Sequence, residues 1–428
     1  METQQSTATS DVSIDQQTSD LRINDLVYQQ PAALSLAVDR KLTKQFFQRS
    51  TYEGSKSTTM IADINSGTSF INLANSYLTF KIKLTGAGAS AANFGSGSAM
   101  NVINELRIST RSTCELERLQ NANLAMKLDA QFNMPQEWFN TIGSVAGYGA
   151  TRVGATDPAN VNTVTAVRFN IPLTMLSTFF RPLNSRQLLP PQLASGLHFE
   201  IVLEDFRTAF FEKVAGITGY TIESLYFQLD TVQMTDDCQR SISSISANSG
   251  LEVCYPRIFT SQTQVGVGQL SLNAQIRKAC SQANYITSIS MSQAARIDIT
   301  QDSFNAIPFN YDSFQYRLGS LYFPNEAVND ASNGVEAYTI AQSCYDKMIH
   351  AYSPGSVSLA SFVASQGILA ANFEKSAFLD VSGLPVNNSR ICELNATYLA
   401  VPAALEVFTF LNYTSVARVF LDNTAVAI

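Results

Sequence analysis

The sequence predicts an all-β chain in which one antiparallel sandwich is built twice, and three observations carry that expectation. Apolar and polar residues alternate with period 2 in run after run, the mark of half-buried strands whose side chains point by turns to core and solvent. Gly, Pro, Asn and Ser clusters separate the runs, as turns between antiparallel strands require. The runs also return at a near-constant offset: those at Leu78 and Leu270 lie 270 − 78 = 192 residues apart, and those opening at Leu197 and Ile391 differ by 391 − 197 = 194. A chain of 428 residues exceeds one ordinary core. Two copies of about 180 residues, each with eight or so strands, fit jelly rolls, whose paired sheets close on each other and shield most strand edges. An immunoglobulin-like pair needs only about 100 residues per domain, and its Cys…Trp…Cys spacing is absent. The expected architecture is two tandem eight-stranded jelly-roll barrels with short helical insertions. Residues 1–45 form a partly flexible N-terminal arm, 46–236 the first barrel and 237–428 the second.

In chain order, the opening "METQQSTATSDVSIDQQTSD" lacks a basic n-region and an apolar h-region, so it reads as a polar arm and not as a secretory signal. "DRKLTKQFFQRS" follows, a modest basic cluster of Arg40, Lys41, Lys44 and Arg49 interleaved with Phe46 and Phe47. "SYLTFKIKL" aligns Leu78, Phe80, Ile82 and Leu84 on one strand face. "LERLQNANLAMKLDAQF" spaces Leu116, Leu124, Leu128 and Phe132 at multiples of four and reads as a helix, with Trp138 just beyond it. "LLPPQLASGLHFEIVLEDF" turns at its prolines. It then sets Leu197, Phe199, Ile201 and Leu203 against His198, Glu200, Val202 and Glu204. A further strand-rich stretch covers 221–234. The second half repeats the order. "GQLSLNAQI" aligns Leu270, Leu272, Ala274 and Ile276, "GVEAYTIAQSCYDKMIH" is a weaker helix, and "RICELNATYL" aligns Cys392, Leu394, Ala396 and Tyr398 after the break "SGLPVNNS". Residues 405–421 close the chain's strand-rich stretches.

Composition narrows the function classes. Hydrophobic residues make up 45% and charged residues only 15%, against roughly 25% charged in ordinary soluble proteins. A surface of Ser, Thr, Asn, Gln and small apolar groups desolvates cheaply against a neighbour, which favours assembly. The net charge of −7 gives no general attraction for nucleic acid. Six cysteines, Cys114, Cys238, Cys254, Cys280, Cys344 and Cys392, are far apart with no CxxC, so they read as buried free thiols with no zinc site and no disulfide framework. The apolar stretch "TYLAVPAALEVFTFL" contains Pro402 and Glu406 and is too short to cross a bilayer.

Catalytic and cofactor motifs are missing. Only His198 and His350 could serve as a histidine base, and neither GxSxG nor HExxH occurs. Glu200 and Glu204 on one strand face would stand about 13 Å apart, whereas a glycosidase pair needs roughly 5 to 9.5 Å. They read, with His198, as a solvated or interface face. "EGSKSTT" at 53–59 lacks the first glycine of a phosphate-binding loop, and "GYGATRVG" at 147–154 has the wrong spacing for a dinucleotide fingerprint. Both read as loops. The N-x-[ST] triplets at Asn387, Asn395 and Asn412 carry no message without a signal peptide. No catalytic, cofactor or metal site is expected. The basic cluster reads by default as a solvated charge run, with an inward-facing contact to nucleic acid, acidic lipid or a partner protein as its functional alternative.

The order of segments resembles the double jelly-roll major capsid proteins of double-stranded DNA viruses, most like those of Polinton-like viruses and virophages. The likeness rests on "TSFINLANSYLTFKIKL", "NVINELRIST" and "LLPPQLASGLHFEIVLEDF" in the first half. In the second half it rests on "DSFQYRLGSLYFPNEAVND", "SGLPVNNSRICELNATY" and "FLNYTSVARVFLDNTAVAI". It runs from about residue 45 to the end. The resemblance implies a structural virion protein and not an enzyme. It implies a homotrimer forming pseudo-hexagonal capsomers that tile an icosahedral shell around DNA, in contact with penton and minor capsid proteins and often over an internal membrane. It implies no cofactor and no sequence-specific nucleic-acid binding. A carbohydrate-binding tandem jelly roll, a minor or vertex capsid protein and a jelly-roll glycoside hydrolase or cupin are the alternatives.

Overall fold

The computed structural model describes residues 37–87, 91–111, 114–148, 161–181, 188–212, 216–248, 250–330, 333–345, 355–375, 382–387, 391–420 and 425–427. Sixteen strands build the framework. In the first half they are β1 (Ala37–Phe46), β2 (Thr59–Ile64), β3 (Phe70–Gly86), β4 (Ile103–Ser109), β5 (Glu115–Gln120), β6 (Val167–Pro172), β7 (Leu197–Leu203) and β8 (Ile217–Met234). In the second they are β9 (Leu251–Val265), β10 (Ser271–Ile276), β11 (Cys280–Ser292), β12 (Tyr311–Leu318), β13 (Leu321–Val328), β14 (Leu369–Asn372), β15 (Cys392–Tyr398) and β16 (Leu405–Val419). The main helices are α1 (Ala122–Asn133), α2 (Asp236–Asn248) and α3 (Val335–Tyr345).

Four antiparallel sheets result. Their strand orders are β1-β8-β3-β6 and β2-β7-β4-β5 in the first half, and β9-β16-β11-β14 and β10-β15-β12-β13 in the second. Adding eight to each strand number of the first half reproduces the second. The chain is therefore two tandem eight-stranded jelly rolls, each with a helix inserted between its fifth and sixth strands. Short strands trim the edges: Thr51–Glu53 pairs with β8, Leu384–Val386 with β11 and Ala425–Ala427 with β16.

This topology corrects one of the offsets. The strand holding Leu78 is β3, whose counterpart is β11, while the strand after Leu270 is β10, whose counterpart is β2. The true offsets there are 280 − 70 = 210 and 271 − 59 = 212. Alternation marks a strand as half-buried without saying which sheet it joins. The Leu197 match holds, because β7 and β15 occupy the same place in their barrels, 392 − 197 = 195 residues apart.

Residues 37–45, expected to end the arm, belong to β1, which pairs along its length with β8; residues 1–36 lie outside the described residues. Leu116, expected to open the first helix, lies on β5 instead. Pairing with β4 overrides local helix propensity there, and Asn121, at φ 50°, makes the left-handed turn that starts α1. The helix α2 between the barrels escaped sequence reading. Asp236 and Asp237 in its first turn are the signal that could have marked it, since carboxylates favour a helix N-terminus.

The two barrels close their cores differently. In the first, Phe199 of β7 stacks on Phe180 at 5.8 Å and meets Phe227 of the opposite sheet at 4.9 Å. In the second, tyrosines of one sheet reach serines of the other. Tyr311 donates to Ser290 at 2.7 Å and Tyr316 to Ser288 at 2.9 Å, and burial raises both phenols well above their ordinary range. The hydroxyls pay for their burial with these bonds.

Candidate assembly surfaces

The barrels meet along a joint that begins with edge strands. β5 is an edge of the first barrel, and β9, an edge of the second, packs against it and against the turn Thr178–Phe180. The Tyr255 hydroxyl donates to the Leu116 carbonyl at 2.8 Å and that of Thr260 to the Gln120 carbonyl at 2.7 Å. Arg257 pairs with Glu115 at 3.6 Å, and Phe179 meets Tyr255 edge-on at 5.0 Å. On the flank α1 packs against α3, with Phe132 stacked on Tyr345 at 5.1 Å.

Two buried charges underpin this joint. Glu117 on β5 is fully buried, and its carboxylate accepts from the hydroxyls of Ser177 and Thr178 and from the backbone N–H groups of Thr178 and Phe179. Lys127 on α1 is also buried and donates to the Phe304 carbonyl of the second barrel. Burial pushes its ammonium down to about 8, with Asp302 opposing the shift. Asp302 in turn accepts from the Ser96 N–H at 2.6 Å.

Lys127 gives the joint a pH dependence of definite sign. Its folded value of about 8 lies below the ordinary 10.5, so between the two the unfolded chain holds a proton that the folded chain has lost. Stability contributed by this group therefore rises with pH across that window. The stability of the wild type minus that of Lys127→Met is expected to increase by about 2 kcal/mol from pH 7 to pH 10 in urea unfolding. A flat difference would contradict it.

The basic cluster is split by the fold. Arg40 forms a bidentate bond to the buried Asp230, at 2.8 and 2.7 Å. Lys41 pairs with Asp39 at 2.6 Å, Lys44 lies 4.7 Å from the Tyr226 ring centre, and the Arg49 N–H donates to the Tyr52 hydroxyl at 3.0 Å. Arg40 thus clips β1 to its sheet. At Asp230 burial raises the pKa, but bonds from Arg40, Asn75 and Asn72 outweigh it and hold the carboxyl below its usual range. Arg40→Ala is expected to fray β1 and speed hydrogen exchange of its amides on the order of tenfold, with barrel cores unchanged. Equal protection in both proteins would refute the clip.

Other expected residues sort as follows. His198 Nδ1 lies 2.7 Å from Asp63 and Nε2 3.5 Å from Glu200, in a charged row on the outer sheet face continued by Arg107. Glu204, expected on that same solvated face, is instead fully buried. β7 stops at Leu203, and the turned carboxylate accepts from Asn123 at 3.2 Å and the Asp205 N–H at 2.9 Å, and pairs with Lys56 at 3.0 Å. Lys56, in the loop that lacks the first glycine of a phosphate cradle, thus serves structure; residues 149–154 of the glycine-rich segment and His350 lie outside the described residues. Cys344 and Cys392 are buried free thiols, whereas Cys114, Cys238, Cys254 and Cys280 are free thiols that are only half-buried. An open cleft of about 400 Å³ between the barrels is lined by Lys56, Arg296, Glu406 and Phe408. No group of His, Cys, Asp or Glu among the described residues could hold a metal ion, and none of their helices is long and apolar enough to cross a membrane.

Two further surfaces stand open. β1 is a sheet edge, and Val38, Leu42 and Phe46 alternate with Arg40 and Lys44 on its exposed face, Phe46 at 70% exposure. β13 is an edge of the second barrel, with Leu321 and Tyr322 exposed, and Val335 is exposed at the start of α3.

No family model and no curated protein matches the sequence. Solved structures do. PBCV-1 VP54, in a structure fitted into a reconstruction of the virophage Sputnik, aligns over 94% of this chain and 98% of its own, with TM-score 0.64 and 10% identity. The Faustovirus major capsid protein aligns over 94% of each chain, with TM-score 0.64 and 9% identity. The mavirus major capsid protein aligns over 94% of each, with TM-score 0.52 and 11% identity. The resemblance read from segment order thus holds at the level of architecture, and the chain has the double jelly-roll fold of these viral major capsid proteins.

Proposed function

We propose that this chain is the major capsid protein of a double-stranded DNA virus. Homotrimers form pseudo-hexagonal capsomers, and these tile an icosahedral shell in the virion. The carrying observation is the paired barrel order, matched over 94% of this chain in VP54 and in the Faustovirus capsid protein. The weakly charged composition and the open edges of β1 and β13 support self-association. In this reading the partners are copies of the chain, with penton and minor capsid proteins and an underlying membrane as further contacts. The chain binds no nucleic acid by sequence and catalyses nothing. The two barrels are the working units, dividing near residue 236, with β1 belonging to the first. Sedimentation velocity of the purified protein is expected to give trimers, and electron microscopy hexagonal capsomers. A monomer stable across concentration and salt would overturn the reading.

A further inference from the structure

Arg296 carries a charge that the fold hides without fully answering it. The residue lies in the turn Ala295–Ile297 after β11, is only 7% exposed, and still lines the open cleft between the barrels. Its guanidinium carbon stands 4.7 Å from the centre of the Phe408 ring, and Nη1 is 3.8 Å from the Met291 sulfur. Nε lies 3.4 Å from Glu406, an ion pair without hydrogen-bond geometry. Nη2 has no partner among the described residues and opens on the cleft. A guanidinium offers five N–H donors in one fixed plane, and leaving them unanswered in a nearly buried group is costly. Burial lowers the pKa of Arg296, with Glu204 and Glu406 opposing the shift. Its surroundings therefore do not make up for the water it has lost.

The rest of the cleft adds donors of the same kind. Lys56, from the first barrel, holds Glu204 at 3.0 Å and has further N–H groups to give. The side-chain amides of Asn121, Gln262 and Gln293 line the same space, and none has a hydrogen-bond partner among the described residues. Glu204 is sealed, its oxygens taken by Lys56, Asn123 and the Asp205 N–H. Glu406 is then the one carboxylate left facing a set of donors. We infer that the cleft between the barrels binds a small oxyanion, a phosphate or carboxylate group, clasped by Arg296 of the second barrel and Lys56 of the first. An acceptor-only ligand of this shape matches the planar edge of a guanidinium, which an ammonium alone does not. The cleft, at about 400 Å³, admits a phosphate ion or an acidic side chain with its backbone. Arg296 is also set in place before any ligand arrives. The Thr208 hydroxyl donates to its carbonyl at 2.8 Å across the joint, and Phe408 fixes the plane of its head. Because Lys56 and Arg296 are balanced by Glu204 and Glu406, attraction at long range is weak, and a dissociation constant on the order of 1 mM is expected.

The site is independent of the capsid reading, and isothermal titration calorimetry of the full chain tests it. The probes are inorganic phosphate and the capped peptide acetyl-Gly-Asp-Gly-amide, whose only charge is one carboxylate, each run against chloride at equal ionic strength. Binding of both supports a general oxyanion site. Phosphate alone assigns it to the free ion, and the peptide alone to an acidic protein segment. Binding of neither up to about 10 mM would overturn the inference. Three variants locate the ligand. Arg296→Lys and Lys56→Met are each expected to weaken binding on the order of tenfold. Glu406→Gln is expected to strengthen it severalfold, because it removes the charge that repels an incoming anion. A guanidinium present only to pair with Glu406 would give no such gain, so an unchanged affinity in Glu406→Gln would overturn the site, as would wild-type affinity in Arg296→Lys. Should Arg296→Lys misfold, the half-exposed Lys56 and the Glu406→Gln exchange keep the test decisive.

Discussion

Glu117→Ala is expected to lower stability by about 3–5 kcal/mol, or to prevent folding at 37 °C. The wild-type carboxylate satisfies two hydroxyls and two backbone N–H groups at a site closed to solvent. Removing it leaves three donors without an acceptor, since the Phe179 N–H also donates to the Ser177 hydroxyl at 3.1 Å, each costing about 1–3 kcal/mol if water cannot enter. Partial hydration of the new cavity keeps the loss below their sum. Glu117→Gln keeps the volume and one acceptor oxygen but turns an NH₂ group towards donors, so an intermediate loss is expected. The turn that Glu117 holds also positions Phe179 against Tyr255. Damage should therefore reach the second barrel, seen as reduced amide protection on β9. A loss under about 1 kcal/mol in urea unfolding would show the carboxylate to be dispensable.

Legibility in the sequence followed the physics of exposure. β7 and β15 could be read because one of their faces is core and the other is not, so polarity alternates with every residue. β13 could not be read as an edge, because cross-strand partners far along the chain decide which strands lie outermost. β5 looked helical for a similar reason. Its leucines fit a helical stripe, and only pairing with β4 makes it a strand.

The charged residues failed more completely. Glu117 and Glu204 are fully buried, and a single sequence gives no sign that a carboxylate will meet converging donors. Arg40 was noticed for its charge, yet its partner Asp230 stands 190 residues away. Nor does the sequence tell that β9 is covered by the first barrel while its counterpart β1 leaves Val38 and Phe46 exposed.

Phe132→Ala is expected to cost about 3–5 kcal/mol and to separate the unfolding of the two barrels. Phe132 is completely buried at the end of α1, stacked on Tyr345 of α3 and 6.4 Å edge-on from Phe362. Both partners belong to the second barrel, so the ring is core for two folding units at once. Its backbone is equally confined: a Cβ on Gly355 would come within 2.3 Å of the Phe132 carbonyl, and Ser356 donates to the Gln131 carbonyl at 3.0 Å. Such a clamped site cannot collapse around a lost ring, which places the cost towards the upper end of the range. Wild-type barrels share one continuous apolar cluster and are expected to melt in a single transition. The alanine variant removes the aromatic contact between α1 and α3 while each barrel keeps its own sheets, so calorimetry should resolve two transitions. A single cooperative transition with the wild-type midpoint would mean that the strand edges alone couple the barrels.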